Sequence, residues 1–135
     1  MSEQLQTISP IDGSVIVRRA YASAAQMHAA LERAESAQAM WRAVPVAQRA
    51  GAVSKGVDAF VARKAEIAQE LTRQMGRPLR YTPGEVGGFE ARARHMIAIA
   101  PNALQDVVPH ELAGFNRFIR REPLGVVLVI ARWNY

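Results

Sequence analysis

The chain has 135 residues, half of them hydrophobic and 21% charged, a globular rather than disordered composition. It contains no cysteine, which excludes disulfides, thiolate metal sites and a cysteine nucleophile within these residues. The net charge of +5 comes mostly from arginines scattered between Arg18 and Arg132, not from a basic tract interleaved with aromatics, so nucleic acid is not the expected partner.

A chain of this length is expected to bury about two-thirds of the surface its unfolded form exposes. The opening MSEQLQTISP carries Glu3 and no apolar run, unlike a secretory or transit peptide. The longest apolar stretch, Leu124 to Ala131, is far short of the ~20 residues that span a bilayer. A cytoplasmic protein without membrane contact is expected. His28, His95 and His110 stand far apart and have no ligand-pair spacing, so no metal site is expected.

In chain order, ISPIDGSVIVRRAY predicts a turn at Asp12-Gly13 feeding a strand over Val15 to Tyr21. Ser23 has the character of a helix N-cap, with Gln26 completing a capping box. The helix that follows places Met27, Leu31, Ala34 and Trp41 on one face and ends before Pro45. A second helix starts near Val46, with Ala50, Val53, Val57 and Phe60 in phase. A third carries Ile67 and Leu71 and stops at Gly76, a natural C′ residue. Pro83 opens a fourth, whose inner face is Val86, Phe89, Ala93, Met96, Ile97 and Ala100. All these stripes predict helix core. Pro101 to Gly114 is expected to be a connection.

The last twenty residues change character. Phe115 to Glu122 predicts a polar-edged strand, broken by Pro123-Leu124-Gly125. The run Val126 to Ile130 is apolar at every position, the pattern of a parallel strand covered on both sides. Such a strand needs neighbours and a crossover helix, and only five residues follow it. The sequence therefore reads as interrupted, and poor solubility is expected. Ligands of open α/β sheets gather at the carboxyl ends of parallel strands, here Ala131-Arg132-Trp133-Asn134-Tyr135. PGEVGG, from Pro83 to Gly88, lacks the glycine spacing and preceding strand of a phosphate loop.

EPLGVVLVIARWNY, from Glu122 to Tyr135, resembles the segment of the aldehyde dehydrogenase superfamily in which E-P-x-G and an apolar strand lead to Pro-Trp-Asn and an aromatic. The upstream order agrees. ISPIDGSVI is similar to the family's N-P-x-T-G-x-V-I, Trp41 with Pro-Val-Ala-Gln-Arg to its A-W helix end, and Met75-Gly76-Arg77-Pro78 to its T-G-K-P. The resemblance implies an α/β protein, of which the chain holds an incomplete, amino-terminal part. Residues 1–22 would be turn and strand, 23–104 the helical lead-in, 115–122 an oligomerisation strand and 124–131 the first strand into the active site. The Rossmann-like cofactor and catalytic domains would be completed downstream.

The implied parent oxidises an aldehyde to a carboxylic acid with NAD or NADP, through a cysteine thiohemiacetal, as a homodimer or homotetramer. Asn134 aligns with the family's asparagine whose amide faces the substrate carbonyl oxygen. Ile130, Ala131 and Trp133 fall where strand-end backbone and indole approach the cofactor. The nucleophilic cysteine, general-base glutamate and cofactor-domain lysine lie downstream in the family, so the chain by itself is expected to be inactive. The family's proline before Trp-Asn is Arg132 here, which frees a dihedral angle and brings a charge beside the crevice. The alternatives are a non-catalytic fragment that associates with full-length subunits and, more remotely, a basic nucleic-acid binder.

Overall fold

The computed structural model describes residues 4–131, in the order β1 (Gln4–Ile8), β2 (Val15–Ala20), α1 (Ala24–Trp41), α2 (Val46–Ala62), α3 (Lys64–Met75) and α4 (Thr82–Ala103). The sequence reading missed β1. It pairs antiparallel with β2, Gln4 opposite Ala20 and Thr7 opposite Val17, with a register irregularity between Thr7 and Ile8.

The connecting loop is built from short side chains. Asp12 accepts from the Ser14 amide at 3.0 Å and from its hydroxyl at 2.7 Å, and Gly13 takes a positive φ of 73°. Ser9, only 5% exposed, accepts from the Ile11 amide through its hydroxyl, so the turn satisfies its own polar groups.

The helix boundaries follow local chemistry. At α1 the Gln26 amide donates to Ser23 Oγ at 3.2 Å while Gln26 Oε1 accepts from the Ser23 amide at 2.8 Å. This reciprocal pair satisfies two amides that a helix start leaves free. Arg63 joins α2 to α3 and binds Glu66 at 2.8 and 2.5 Å. Gly76 ends α3 at φ 73°. There the position a Cβ would occupy lies 2.9 Å from Cγ of Pro10, so the hairpin loop packs directly on this cap.

The fourth helix continues through Pro101 to Ala103, within the 23–104 bounds but into the stretch read from residue types as a connection. Proline lacks one amide donor, but in a last turn the loss touches a single backbone bond. The chain then closes the helix by donating from the Leu104 amide to the Ala100 carbonyl at 3.0 Å.

Helix α4 packs against both α2 and α3. Phe60 and Phe89 meet with ring centroids 4.5 Å apart, and Arg94 of α4 reaches Asp58 of α2 at 2.8 Å. The buried apolar residues are Val57, Ala68 and Val86, joined by Thr82, whose hydroxyl donates to the Leu79 carbonyl.

The expectation of a filled helical core is corrected here. Met27, Leu31, Trp41, Val53 and Met96 are each about half exposed, and α1 buries none of its residues. A self-contained monomer of 14.8 kDa has about 7,000 Å² of accessible surface. This chain has 11219 Å². Burial on folding is therefore about half the unfolded surface rather than two-thirds.

The two expected late strands form no ladder among the described residues. Residues 115–122 make isolated bridges only, Ile119 with Val107 and Phe115 with Leu112, and residues 124–131 make none. A strand is defined by partners, and no neighbouring strand lies beside them here.

Candidate active-site approach

The segment leading to the expected site begins in a polar clamp. Glu122 lies 3.3 Å from Arg42, just past the end of α1, and 3.9 Å from Arg120. Arg120 also approaches Asp106 at 4.0 Å, whose other carboxylate oxygen accepts from the Arg121 amide at 3.0 Å. Of the basic group at 117–121, Arg120 is paired with acids, while Arg117 donates to the His110 carbonyl at 2.9 Å and Arg121 engages Asp106 through its backbone amide. These exposed pairs fix geometry more than they add stability.

Beyond the clamp, Gly125 turns the chain with φ of 101°, where a side chain would be strained. Gly125 and Val126 then lie in an apolar groove with Ala34, Met40, Trp41 and Val44. The carboxyl end of α1 therefore aims the segment.

After Val126 the chain runs free. Leu128, Val129 and Ile130 are 83%, 78% and 86% exposed, and Ala131 is exposed as well. Ile130 and Ala131 thus stand open at the end of the segment. Arg132, Trp133, Asn134 and Tyr135 lie outside the described residues, so the structure does not test the placement of Asn134 or Trp133. Sequence reading missed the Arg42–Glu122 contact, and no local signal links residues eighty positions apart.

Among the described residues, no group of three or more His, Cys, Asp or Glu side chains could hold a metal ion. No helix among them is long and apolar enough to cross a membrane.

The described residues thus comprise a β-hairpin, four helices and an open apolar segment. The sequence profile of the aldehyde dehydrogenase family matches residues 1–135, and the chain belongs to that family. Succinate-semialdehyde dehydrogenase [NADP(+)] of Deinococcus radiodurans is 30% identical over 132 residues, covering 96% of this chain and 27% of its own. Betaine aldehyde dehydrogenase 2 of Rhizobium meliloti is 29% identical over 133 residues, with 98% and 27% covered. Among solved structures, PnpE in complex with nicotinamide adenine dinucleotide superposes with a TM-score of 0.74 at 30% identity, over 83% of this chain and 23% of its own. The NAD-dependent benzaldehyde dehydrogenase from Corynebacterium glutamicum gives a TM-score of 0.71 at 26% identity, over 83% and 24%. The chain thus spans about a quarter of the length of these relatives and holds the amino-terminal segment of their fold.

Proposed function

We propose that this chain is the lead-in segment of an NAD(P)-dependent aldehyde dehydrogenase that converts an aldehyde to a carboxylic acid, with Asn134 as its catalytic residue. The family match along the whole chain carries this reading. Two relatives are named as semialdehyde and aldehyde dehydrogenases, the first with NADP(+), and the PnpE structure holds nicotinamide adenine dinucleotide.

In this reading residues 124–131 become the first strand of the active-site sheet once neighbouring strands are present, and 115–122 serves subunit association in a dimer or tetramer. Asn134 then stands at the carboxyl end of that strand. Attack of a thiolate on an aldehyde moves negative charge onto the carbonyl oxygen. A fixed amide N–H stabilises that oxygen more than it stabilises the uncharged ground state, which lowers the barrier. The nicotinamide cofactor, when bound, accepts the hydride. The exposed Ile130 and Ala131 fit a role in cofactor contact, since nothing of this chain covers them. The Trp133 indole is assigned to the same side.

The thiolate itself must come from outside these residues, because the chain has no cysteine. Purified alone, it should form no NADH or NADPH from any aldehyde. Joined ahead of the remainder of the Deinococcus relative, it should restore aldehyde-dependent NADPH formation, read at 340 nm. Asn134→Ala in that fusion should lower kcat by about 10²–10³. An unchanged kcat would remove Asn134 from the mechanism.

The exposed apolar surface supports a second reading, a non-catalytic fragment that associates with full-length subunits. Co-elution of the chain with an intact homologue would favour it; separate elution would eliminate it.

A further inference from the structure

Between α2 and α4 runs an apolar groove lined by Trp41, Val53, Ala93, Met96, Ala100 and Leu104. Arg49 also lines it. The Nε of this arginine is buried without a hydrogen-bond partner, although the groove is open. Buried donors are almost always paired in folded proteins, so this one marks where an acceptor is due. No carboxylate among the described residues makes an ion pair with Arg49, and its Nε faces this apolar lining rather than open solvent.

The size of the uncovered surface narrows the occupant. The chain exposes about 4,000 Å² beyond that of a self-contained monomer of its mass. An ordinary interface covers only about 800 Å² of each partner, so a second copy docking in the usual way would leave most of the excess open. Cover on the scale of a domain is required. The relatives carry roughly three more quarters of chain beyond the part matched here.

We propose that this groove docks the remainder of an aldehyde dehydrogenase subunit, through an apolar segment bearing a carboxylate that pairs with Arg49, and that the remainder binds even when supplied as a separate polypeptide. The inference rests on the family reading above, but its test is physical assembly rather than turnover. An arginine fork and a carboxylate brought together in an apolar groove form a strong, oriented pair. Lysine cannot reproduce its two-point geometry.

The experiment co-expresses the tagged chain with the portion of the Deinococcus relative that lies beyond the matched region. The relative's own matched segment, paired with the same portion, is the control. The expected result is a 1:1 complex by light scattering, with slowed amide exchange along residues 93–104. Arg49→Ala should weaken binding by about 10- to 100-fold, the usual loss for a charged hydrogen bond. Arg49→Lys should rescue it only in part, and Glu32→Ala, on the exposed side of α1, should leave it unchanged.

Three results would overturn the proposal. One is retention of the remainder by the relative's segment but not by this chain; another is a complex indifferent to Arg49→Ala. The third is a dimer of the chain alone whose residues 93–104 are already protected. If neither segment retains the remainder, the covalent fusion reads the same contact: Arg49 should resist arginine-directed glyoxal reagents there, and full reactivity overturns the idea. A complex that forms but oxidises no aldehyde sinks the catalytic reading and leaves the docking intact. An active fusion with a freely reactive Arg49 does the reverse.

Discussion

Two residues show how the hairpin loop and the helices hold each other. Gly76 adopts φ 73°, and Pro10 Cγ lies 2.9 Å from where a Cβ would sit. Gly76→Ala meets both a backbone penalty of ~1 kcal/mol and a clash with a rigid proline ring. We expect a loss of about 1–3 kcal/mol in urea unfolding, relieved in part by Pro10→Ala. Equal losses in both backgrounds would show that the ring is not the obstacle. Asp12 is a separate case. Its carboxylate is held below the usual aspartate range by the Ser14 hydroxyl first and the Ser14 amide second. The folded pKa is depressed, so the charged form favours the fold above the ordinary carboxylate pKa, and that contribution is lost as pH falls through the lower folded value. An NMR titration should place the Asp12 midpoint below that of Asp12 in a Ser14→Ala variant. Coincident midpoints would dismiss the hydrogen bonds as the cause.

At the scale of elements, what was legible in the sequence was what neighbouring residues decide. The Ser23–Gln26 box, the Gly76 stop and the Pro83 start needed no knowledge of anything distant, and each stands in the structure. The strand β1 escaped because Gln4 to Ile8 carries little signal of its own and exists by pairing with β2. The apolar stripes were legible too, but a stripe states only that burial is wanted. For α1 nothing described here supplies it. This helix therefore leans on its cap, and Ser23→Ala should cost about 1 kcal/mol, seen as faster amide exchange in its first two turns. Unaltered exchange would mean that packing outweighs capping after all. The run from Val126 to Ile130 shows the same limit more sharply. Its residues state the environment a strand would need, doubly covered and apolar, and no such partner stands beside it among the described residues. Left open, it is an edge for self-association. Leu128→Asp should slow aggregation several-fold without changing the helical circular dichroism, and unchanged kinetics would locate the hazard in another segment. The candidate site was legible only as a motif, and Asn134, proposed above as catalytic, lies outside the described residues.

For the whole molecule, surface area turns these local observations into a prediction about cooperativity. The denaturant m-value scales with the surface exposed on unfolding. A self-contained domain of 135 residues would expose about 14,000 Å² on unfolding, and this chain, starting from 11219 Å², exposes about 10,000 Å². Its m-value in urea should be roughly 30% below that of an ordinary domain of equal length. It should also bind an apolar dye such as ANS before any denaturant is added, because α1 and residues 127–130 present open hydrocarbon. The two readouts separate the possible causes. A low m-value with strong dye binding means the helices form and their outer face stays bare. A full-sized m-value without dye binding means that something covers that face in solution, and a chain with no other partner present would then have to be covering itself. In that event α1 could not lie where this structure places it, because no residue of α1 is buried there. The urea titration thus tests the position of one helix and the openness of the whole surface together.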